Sequence, residues 1–152
     1  MKIYNTYSRQ LEDFKPIEPG KVKMYVCGPT VYNYIHVGNA RSVVAFDLVR
    51  KYLEFRGFEV QYISNFTDVD DKIINGAKAA NMTTTDFSER YIAAFYEDTD
   101  ALNVKRASQN PKATEFIEAM IELFKNLWIK NLLMFLKETY ISVYLNLKIT
   151  LN

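Results

Sequence analysis

The stretch from Cys27 to Gly38 contains the only cysteine and the only histidine of the sequence, and its residue types suit phosphate chemistry. Gly28 follows a run of strand-forming residues and lets the backbone leave a strand sharply. His36 stands two residues before Gly38, where a helix is expected to begin and where free N–H groups attract phosphate. An imidazole there can donate a hydrogen bond to a phosphate oxygen in a transition state. Gly38 would let an adenine or a ribose approach the backbone closely.

Each of these residues also has a simpler interpretation. A single cysteine is most often a small buried apolar residue, and a single histidine is often a loop or cap residue. A thiolate at the end of a strand, beside a substrate site, would instead suit zinc. With one cysteine no intrachain disulfide is possible, which is typical of a cytoplasmic protein.

Two predicted strands and the helix between them position this stretch. Residues 22–27 and 59–65 are rich in β-branched and aromatic types, which favours strands. Apolar residues recur at helical spacing between positions 45 and 53, and Gly57 closes that helix at a C′ position. Strand, helix, strand predicts a parallel α/β sheet, in which ligands bind beyond the carboxyl ends of the strands.

Three further helices are predicted downstream, over residues 68–80, over residues 86–102 and from Asn110-Pro111 onward. Acidic side chains in the first turn of the first of these suit either the helix dipole or catalysis: Asp68, Asp70 and Asp71. Aromatic residues at a spacing of four in the second are expected in the core: Phe87, Tyr91 and Phe95. Basic residues of the helix before Gly57 are expected to form a solvated face: Arg50, Lys51 and Arg56.

The composition limits the class of protein. The chain has 152 residues, enough for one domain or a piece of a larger protein, and 49% are apolar, enough to bury a core. The formal charge of +1 provides no bulk attraction to nucleic acid or membrane. No apolar run approaches the roughly 20 residues of a membrane span, so no membrane association is expected.

Three motifs in order resemble the cysteinyl-tRNA synthetase family. They are Tyr25 to Asn33, His36 to Asn39, and Asn65 to Ile73, and the similarity runs from Met1 to about Leu127. The resemblance implies the first half of a class I Rossmann-like (HUP-type) nucleotide-binding fold, followed by helices that start a connecting insertion. It also implies an ATP-dependent ligase that activates L-cysteine and transfers it to tRNA-Cys. Asn39 stands where the family often has a histidine, and asparagine can still donate a hydrogen bond.

The resemblance implies the following roles. The residues expected to contact ATP are Thr30, His36, Gly38 and Asn39, with Thr30 and His36 as the catalytic pair. The residues expected to contact cysteine are Cys27, Gly28 and Thr67. Cys27 resembles one of four zinc ligands, and a soft zinc ligand set would select a thiol over a hydroxyl.

Other parts that the family needs are not found in this sequence. The remaining zinc ligands, the lysine-rich loop that completes the ATP site with Mg²⁺, and the tRNA-binding helical domains have no counterpart. The resemblance therefore implies a cytoplasmic enzyme, monomeric at full length, of which this chain alone is expected to lack activity. Two alternatives stay open: a relative of the ligase that joins cysteine to an amino sugar in mycothiol synthesis, and a non-catalytic fragment.

The sequence divides into residues 1–102, the first half of the catalytic domain; 103–127, the start of the insertion; and 128–152, an atypical tail. The tail lacks Gly, Pro, Asp, Ala and Arg. Back-translation shifted by one base yields a stretch with a glycine-aspartate turn like the one expected of the family, so a one-base deletion near Leu127 is one hypothesis. A natural short paralogue with an apolar terminal helix and strand is the other. Residues 140–144 have strand propensity but no evident partner strand.

Overall fold

The structure is a computed structural model. It describes residues 1–129 in full and, beyond them, the backbone of residues 133–136 and 139–142. The elements in chain order are β1 Lys2–Asn5, β2 Gln10–Asp13, β3 Lys21–Val26, α1 Val37–Phe55, β4 Glu59–Ser64, α2 Asp71–Ala79, α3 Thr84–Ala101, a 3₁₀ turn Ala113–Phe116, α4 Ile117–Ile129, β5 Leu133–Leu136 and β6 Thr139–Ser142.

The central feature is the parallel pair of strands β3 and β4, with α1 as the crossover. Val22 lies opposite Val60, and Val26 lies opposite Ser64. Parallel neighbours need such a crossover, because a short turn cannot return the chain to the same end of the sheet. Gly57 follows the last turn of α1 with a φ of +89°, the left-handed conformation that glycine adopts without strain. The predicted parallel α/β arrangement is thereby confirmed.

Pairing continues past the carboxyl ends of both strands. The Val31 N–H donates to the Thr67 carbonyl and the Thr67 N–H donates to the Pro29 carbonyl, each at 3.1 Å. Thr30 therefore lies directly opposite Thr67. The loop after β3 and the loop after β4 are thus held together as a continuation of the sheet.

The helix predicted from Asn110-Pro111 onward is present as α4, but it begins at Ile117, after the 3₁₀ turn Ala113–Phe116, so the predicted start is wrong. The Phe66 N–H donates to the Pro111 carbonyl at 2.9 Å, and the Asn110 side chain donates to the Ser64 carbonyl at 2.7 Å. The segment lies extended along the free edge of β4, a position that tolerates a proline, which has no N–H to donate. Because the Asn110 side chain already bonds the sheet, it does not cap a helix.

Packing of α2 and α3 on the sheet forms the core. Its buried members are Val31, Phe66, Ile73, Ala77, Phe87, Ile92 and Phe95. Phe87 and Phe95 are buried and Tyr91 packs against them, as predicted. The Phe66 ring meets Phe95 edge to face, with 5.3 Å between the ring centroids.

The three acidic residues predicted in the first turn of α2 lie in different environments. Asp70 is the N-cap of α2 and accepts from the Lys72 N–H at 2.8 Å, while Asp71 lies in the first turn. Asp68 precedes the helix and is buried, where it accepts from the backbone N–H and hydroxyl of Thr114. The placement of Asp68 in the helix was therefore wrong, because its carboxylate is committed to the segment before α4.

Arg50 was predicted on a solvated face and is instead 4% exposed. Its guanidinium donates to the carbonyls of Lys105 and Arg106, at 3.3 and 2.7 Å, and to Glu54 at 3.1 Å. It also lies over the Tyr62 ring, 5.5 Å from the centroid. This side chain therefore ties α1 to the segment that returns along β4. Lys51 and Arg56, on the same helix, are exposed as predicted.

Two hairpins lie outside the central pair. The hairpin of β1 and β2 was not predicted; Lys2 pairs with Asp13 and Asn5 with Gln10. Strand β6 pairs antiparallel with β5, so residues 140–142 do have a partner strand and that prediction was wrong, because only residues 137–138 separate the two strands. The rest of the tail lies outside the described residues. Among the helices that the structure describes, none is long and apolar enough to cross a membrane.

Candidate active site

The turn after β3 carries Cys27 and Gly28. Cys27 is exposed at the carboxyl end of the strand. A Cβ atom on Gly28 would lie 1.7 Å from the Asn65 carbonyl oxygen, so no other residue fits without moving the backbone. The Gly28 N–H donates to Oδ1 of Asn65 at 3.0 Å. From the sequence, the glycine was explained by the sharp turn after the strand. The structure shows that the close approach of the loop after β4 requires it.

His36 is the N-cap residue of α1. Its Nδ1 atom accepts from the Gly38 N–H at 3.1 Å, and its carbonyl accepts from the Ala40 N–H at 3.0 Å. An accepting Nδ1 carries no hydrogen, so the ring hydrogen of the neutral imidazole is on Nε2. The cap thus selects the tautomer whose outer nitrogen can donate to an anion.

The first turn of α1 adds backbone donors beside that imidazole. Because the first N–H groups of a helix have no partner within the helix, those of Val37 and Asn39 point beyond its end. Gly38 is exposed, with no Cβ to keep a ligand away. A helix start of this kind, with an imidazole donor, is suited to phosphate oxygens.

A cleft of about 150 Å³ lies between the end of β3 and the first turn of α1. Cys27 and Gly28 line it from the strand end and Asn39 from the helix, with Tyr62, Ser64 and Phe95 among the remaining lining residues. Thr30, His36, Gly38 and Thr67 do not line this cleft, although Thr30 and Thr67 face each other across the paired loops. A roomier hollow of about 360 Å³ is lined by residues of 14–23 at the amino end of β3. We regard the carboxyl ends of β3 and β4, with the smaller cleft and the paired loops beside it, as the candidate site, because ligands of open parallel sheets bind there.

A zinc site cannot be completed by the residues that the structure describes. No group of three His, Cys, Asp or Glu side chains among them could hold a metal ion. Cys27 is a single thiol, and the only histidine caps α1. A structural or catalytic zinc needs at least three protein ligands, so this part of the chain does not fit the ion by itself.

Asn65 and Lys72 were not given roles from the sequence. Asn65 contacts Tyr25, Gly28 and Thr67 through one side-chain amide. Lys72 lies over the Tyr32 ring, 4.8 Å from Nζ to the centroid, and so brings a cation to the loop between β3 and α1. Both residues fall within the Asn65 to Ile73 motif, which was the signal that could have drawn attention to them.

Several classes of nucleotide-binding protein have a helix that begins at the carboxyl end of a parallel sheet. The comparison with protein families distinguishes among these classes. Residues 13–146 match the family described as tRNA synthetases class I (C) catalytic domain. The chain belongs to this family.

The similar proteins narrow the relationship further. The chain is 96% identical over 127 residues to a cysteine–tRNA ligase of Lactococcus lactis subsp. lactis, which covers 84% of this chain and 28% of the ligase. It is 84% identical over 131 residues to the cysteine–tRNA ligase of Lactococcus lactis subsp. cremoris, covering 86% of this chain and 29% of that protein. The chain therefore spans somewhat over a quarter of the length of these curated relatives.

A solved structure agrees with the fold. Methionyl-tRNA synthetase of Mycobacterium tuberculosis, in complex with methionyl-adenylate, superposes with a TM-score of 0.66 at 16% identity. The superposition covers 82% of this chain and 29% of that one. At this level of identity the likeness is one of fold.

Proposed function

We propose that this chain is the ATP- and cysteine-binding part of a cysteine–tRNA ligase. The single observation that carries the proposal is the 96% identity over 127 residues to such a ligase. In the proposed reaction the carboxylate of L-cysteine attacks the α-phosphorus of ATP, which forms cysteinyl-adenylate and releases pyrophosphate. The cysteinyl group then passes to a terminal hydroxyl of tRNA-Cys, with AMP as the leaving group.

The residues of this chain divide the work of the first step between its two ligands. His36, through the hydrogen on Nε2, and the free amides at the start of α1 would bind the phosphates and stabilise the negative charge that develops there. Gly38 and Asn39 would accommodate the adenosine, and Thr30 would contact the phosphates from the paired loop. Cys27, Gly28 and Thr67 would form the wall of the cysteine subsite.

Zinc and Mg²⁺ belong to this proposal only as groups that the whole enzyme would bind. Zinc would supply a soft ligand for the substrate thiol, and Cys27 would be this chain's contribution to its coordination. Because the described residues offer no further ligands, we propose that residues 1–152 alone have negligible cysteine activation. Monomeric assembly and a cytoplasmic location are proposed for the whole enzyme from the family resemblance.

The division of the chain at residues 102 and 127, and a shift of reading frame near Leu127, also stay proposals. In the structure α4 continues through residue 127 to Ile129, and the family match continues to residue 146. The nucleotide sequence of the gene beyond the codon for Leu127 tests the shift. A second frame that encodes the missing family sequence is expected; its absence would contradict the hypothesis.

The experiment for the main proposal uses a chimaera. In the Lactococcus lactis subsp. lactis ligase, the 127 matched residues are replaced by those of this chain, and cysteine-dependent ATP–pyrophosphate exchange is measured. We expect exchange by the chimaera, and none by residues 1–152. An inactive but folded chimaera would refute the assignment as a cysteine–tRNA ligase, and robust exchange by residues 1–152 would refute the proposed dependence on further residues.

A further inference from the structure

We infer that Asn65 is a positioning residue of the amino-acid subsite, which fixes the direction of the hydrogen bond that Thr67 can offer to a ligand. The inference rests on the proposed function and concerns how the site presents polar groups to cysteine. It starts from one side-chain amide that contacts Tyr25, Gly28 and Thr67.

The orientation of the amide follows from its neighbours. The backbone N–H of Gly28 can only donate, so the Asn65 atom 3.0 Å from it is the oxygen Oδ1. The Tyr25 hydroxyl lies 2.9 Å from the same oxygen and donates to it. With Oδ1 held by two donors, Nδ2 faces the Thr67 hydroxyl oxygen at 3.4 Å.

The Thr67 hydroxyl is oriented as a result. Nδ2 of Asn65 is a donor, so the hydroxyl oxygen accepts from it and its own hydrogen points elsewhere. Thr67 is half-buried, and its backbone is fixed by the hydrogen bonds to Pro29 and Val31. A threonine held in this way presents an O–H donor, which suits the carboxylate or carbonyl oxygen of an amino acid.

The side chains of Tyr25, Asn65 and Thr67 lie together on one face of the sheet, outside the cleft of about 150 Å³ but at the same carboxyl end of the strands that carries Cys27. Tyr25 and Cys27 are two residues apart along β3 and its extension, and Asn65 and Thr67 are two residues apart along the extension of β4. Side chains two residues apart in a strand point to the same face of the sheet. Partners in a parallel pair point to the same face, and Tyr25 is opposite Ile63, which precedes Asn65 by two residues. The Gly28 N–H already donates to Asn65, so the polar backbone group that Gly28 can offer to a ligand is its carbonyl.

The test is a double-mutant cycle in the chimaera. Asn65→Asp keeps an acceptor for Gly28 and Tyr25 but places a second acceptor against Thr67, which turns the hydroxyl hydrogen away from the ligand. We expect Asn65→Asp to raise the KM for cysteine about 10- to 100-fold, the range for one lost hydrogen bond to a charged group, and to leave the KM for ATP within about twofold. Thr67→Val is expected to raise the KM for cysteine to a similar extent.

The decisive result is the double variant. If Asn65 acts through Thr67, adding Asn65→Asp to Thr67→Val costs little more than Thr67→Val alone, because no hydroxyl is left to be turned. Tyr25→Phe removes one of the two donors to Oδ1 and leaves the Gly28 N–H in place, so we expect it to raise the KM for cysteine less than Asn65→Asp does and to leave the KM for ATP unchanged.

Several results would overturn the inference. Additive effects of the two substitutions would do so, as would an unchanged KM for cysteine in Asn65→Asp or an equal rise in the KM for ATP. Thermal midpoints of all variants separate a loss of folding from a loss of binding. An inactive unsubstituted chimaera would refute the proposed function, whereas an active one with additive variants would refute only the role of Asn65.

Discussion

The imidazole of His36 and the backbone N–H of Gly38 form one hydrogen bond, with 3.1 Å between Nδ1 and the amide nitrogen. This single contact both caps α1 and leaves the ring hydrogen on Nε2. The helix cap and the proposed phosphate donor are therefore two ends of the same side chain, and substitutions can separate them.

His36→Asn should keep the cap and lose the donor. Asparagine is among the best N-cap residues, so the thermal midpoint of the chimaera should stay close to that of the parent, whereas His36→Ala should lose about 1 kcal/mol. Both variants should lose roughly 100- to 1000-fold in exchange rate, the usual effect of removing one such donor. Full activity in a stable His36→Asn variant would show that the cap alone is the role of this residue.

Gly28→Ala and Gly38→Ala form a second matched pair. The added Cβ at Gly28 would lie 1.7 Å from the Asn65 carbonyl oxygen, so the two loops must separate, at a cost of about 1–3 kcal/mol in the free energy of unfolding. At Gly38 the nearest atom is Nδ1 of His36 at 3.4 Å, an ordinary contact, and alanine suits a helix. Urea unfolding of residues 1–152 should therefore show a loss at Gly28 only, and equal losses would contradict the geometry.

Arg50→Met should strongly destabilise the fold. The substitution leaves the carbonyls of Lys105 and Arg106 and the Glu54 carboxylate without a buried donor, which we expect to cost about 3 kcal/mol. Arg56→Met, on the exposed side of the same helix, is the control and should change the free energy of unfolding by less than about 0.5 kcal/mol. Similar losses from the two substitutions would mean that Arg50 is not the link between α1 and the returning segment.

The pH dependence of stability should include a contribution from Glu54. Its hydrogen bonds to Lys105, at 2.9 and 3.0 Å, lower the pKa of the Glu54 carboxyl from the usual 4.5, and Arg50 adds to the effect. A carboxyl whose pKa is lower in the folded state stabilises that state above the unfolded pKa and loses this contribution as the pH falls through the folded value. Glu54→Gln should therefore lower the free energy of unfolding at neutral pH, by about 1 kcal/mol.

The difference between parent and Glu54→Gln should shrink as the pH is lowered below 4.5. Urea unfolding at neutral pH and at a series of acidic values measures it. Lys105→Met is the partner variant, and combining it with Glu54→Gln should cost less than the sum of the two. A difference that is constant with pH would rule out the carboxylate as its source.

The parallel strands, the helix between them and the turn at Gly57 could be predicted because each has a local signal. Alternating and 3.6-residue apolar patterns and a C′ glycine are properties of short segments. The candidate site near Cys27 and His36 was proposed from its place between these elements. What the sequence could not reveal was the hydrogen-bond partner of each, because Asn65 reaches Gly28 across 37 positions of chain.

The wrong predictions for Arg50, Asp68 and the start of α4 share one cause, which is a polar residue whose partner is distant in sequence; the missed partner strand of residues 140–142 is instead local. Arg50 looked like a member of a solvated helix face because its acceptors lie 55 and 56 residues away. Asn110 and Pro111 have the residue types of a helix start, yet the asparagine amide binds the Ser64 carbonyl, 46 residues earlier. Tertiary contacts decide such positions, and local propensity does not contain them.

The extended segment along the free edge of β4 has a consequence for biosynthesis. Ser108 bonds the backbone of Tyr62 in both directions, through its hydroxyl and its N–H, and Lys112 lies opposite Phe66. A ribosome that has made β3, α1 and β4 has therefore not yet made the strand-like edge that covers them. Because chains fold as they are synthesised, the edge of β4 is covered only after residue 112 has emerged. A pause in translation before that point would expose an unpaired strand to chaperones or to other nascent chains.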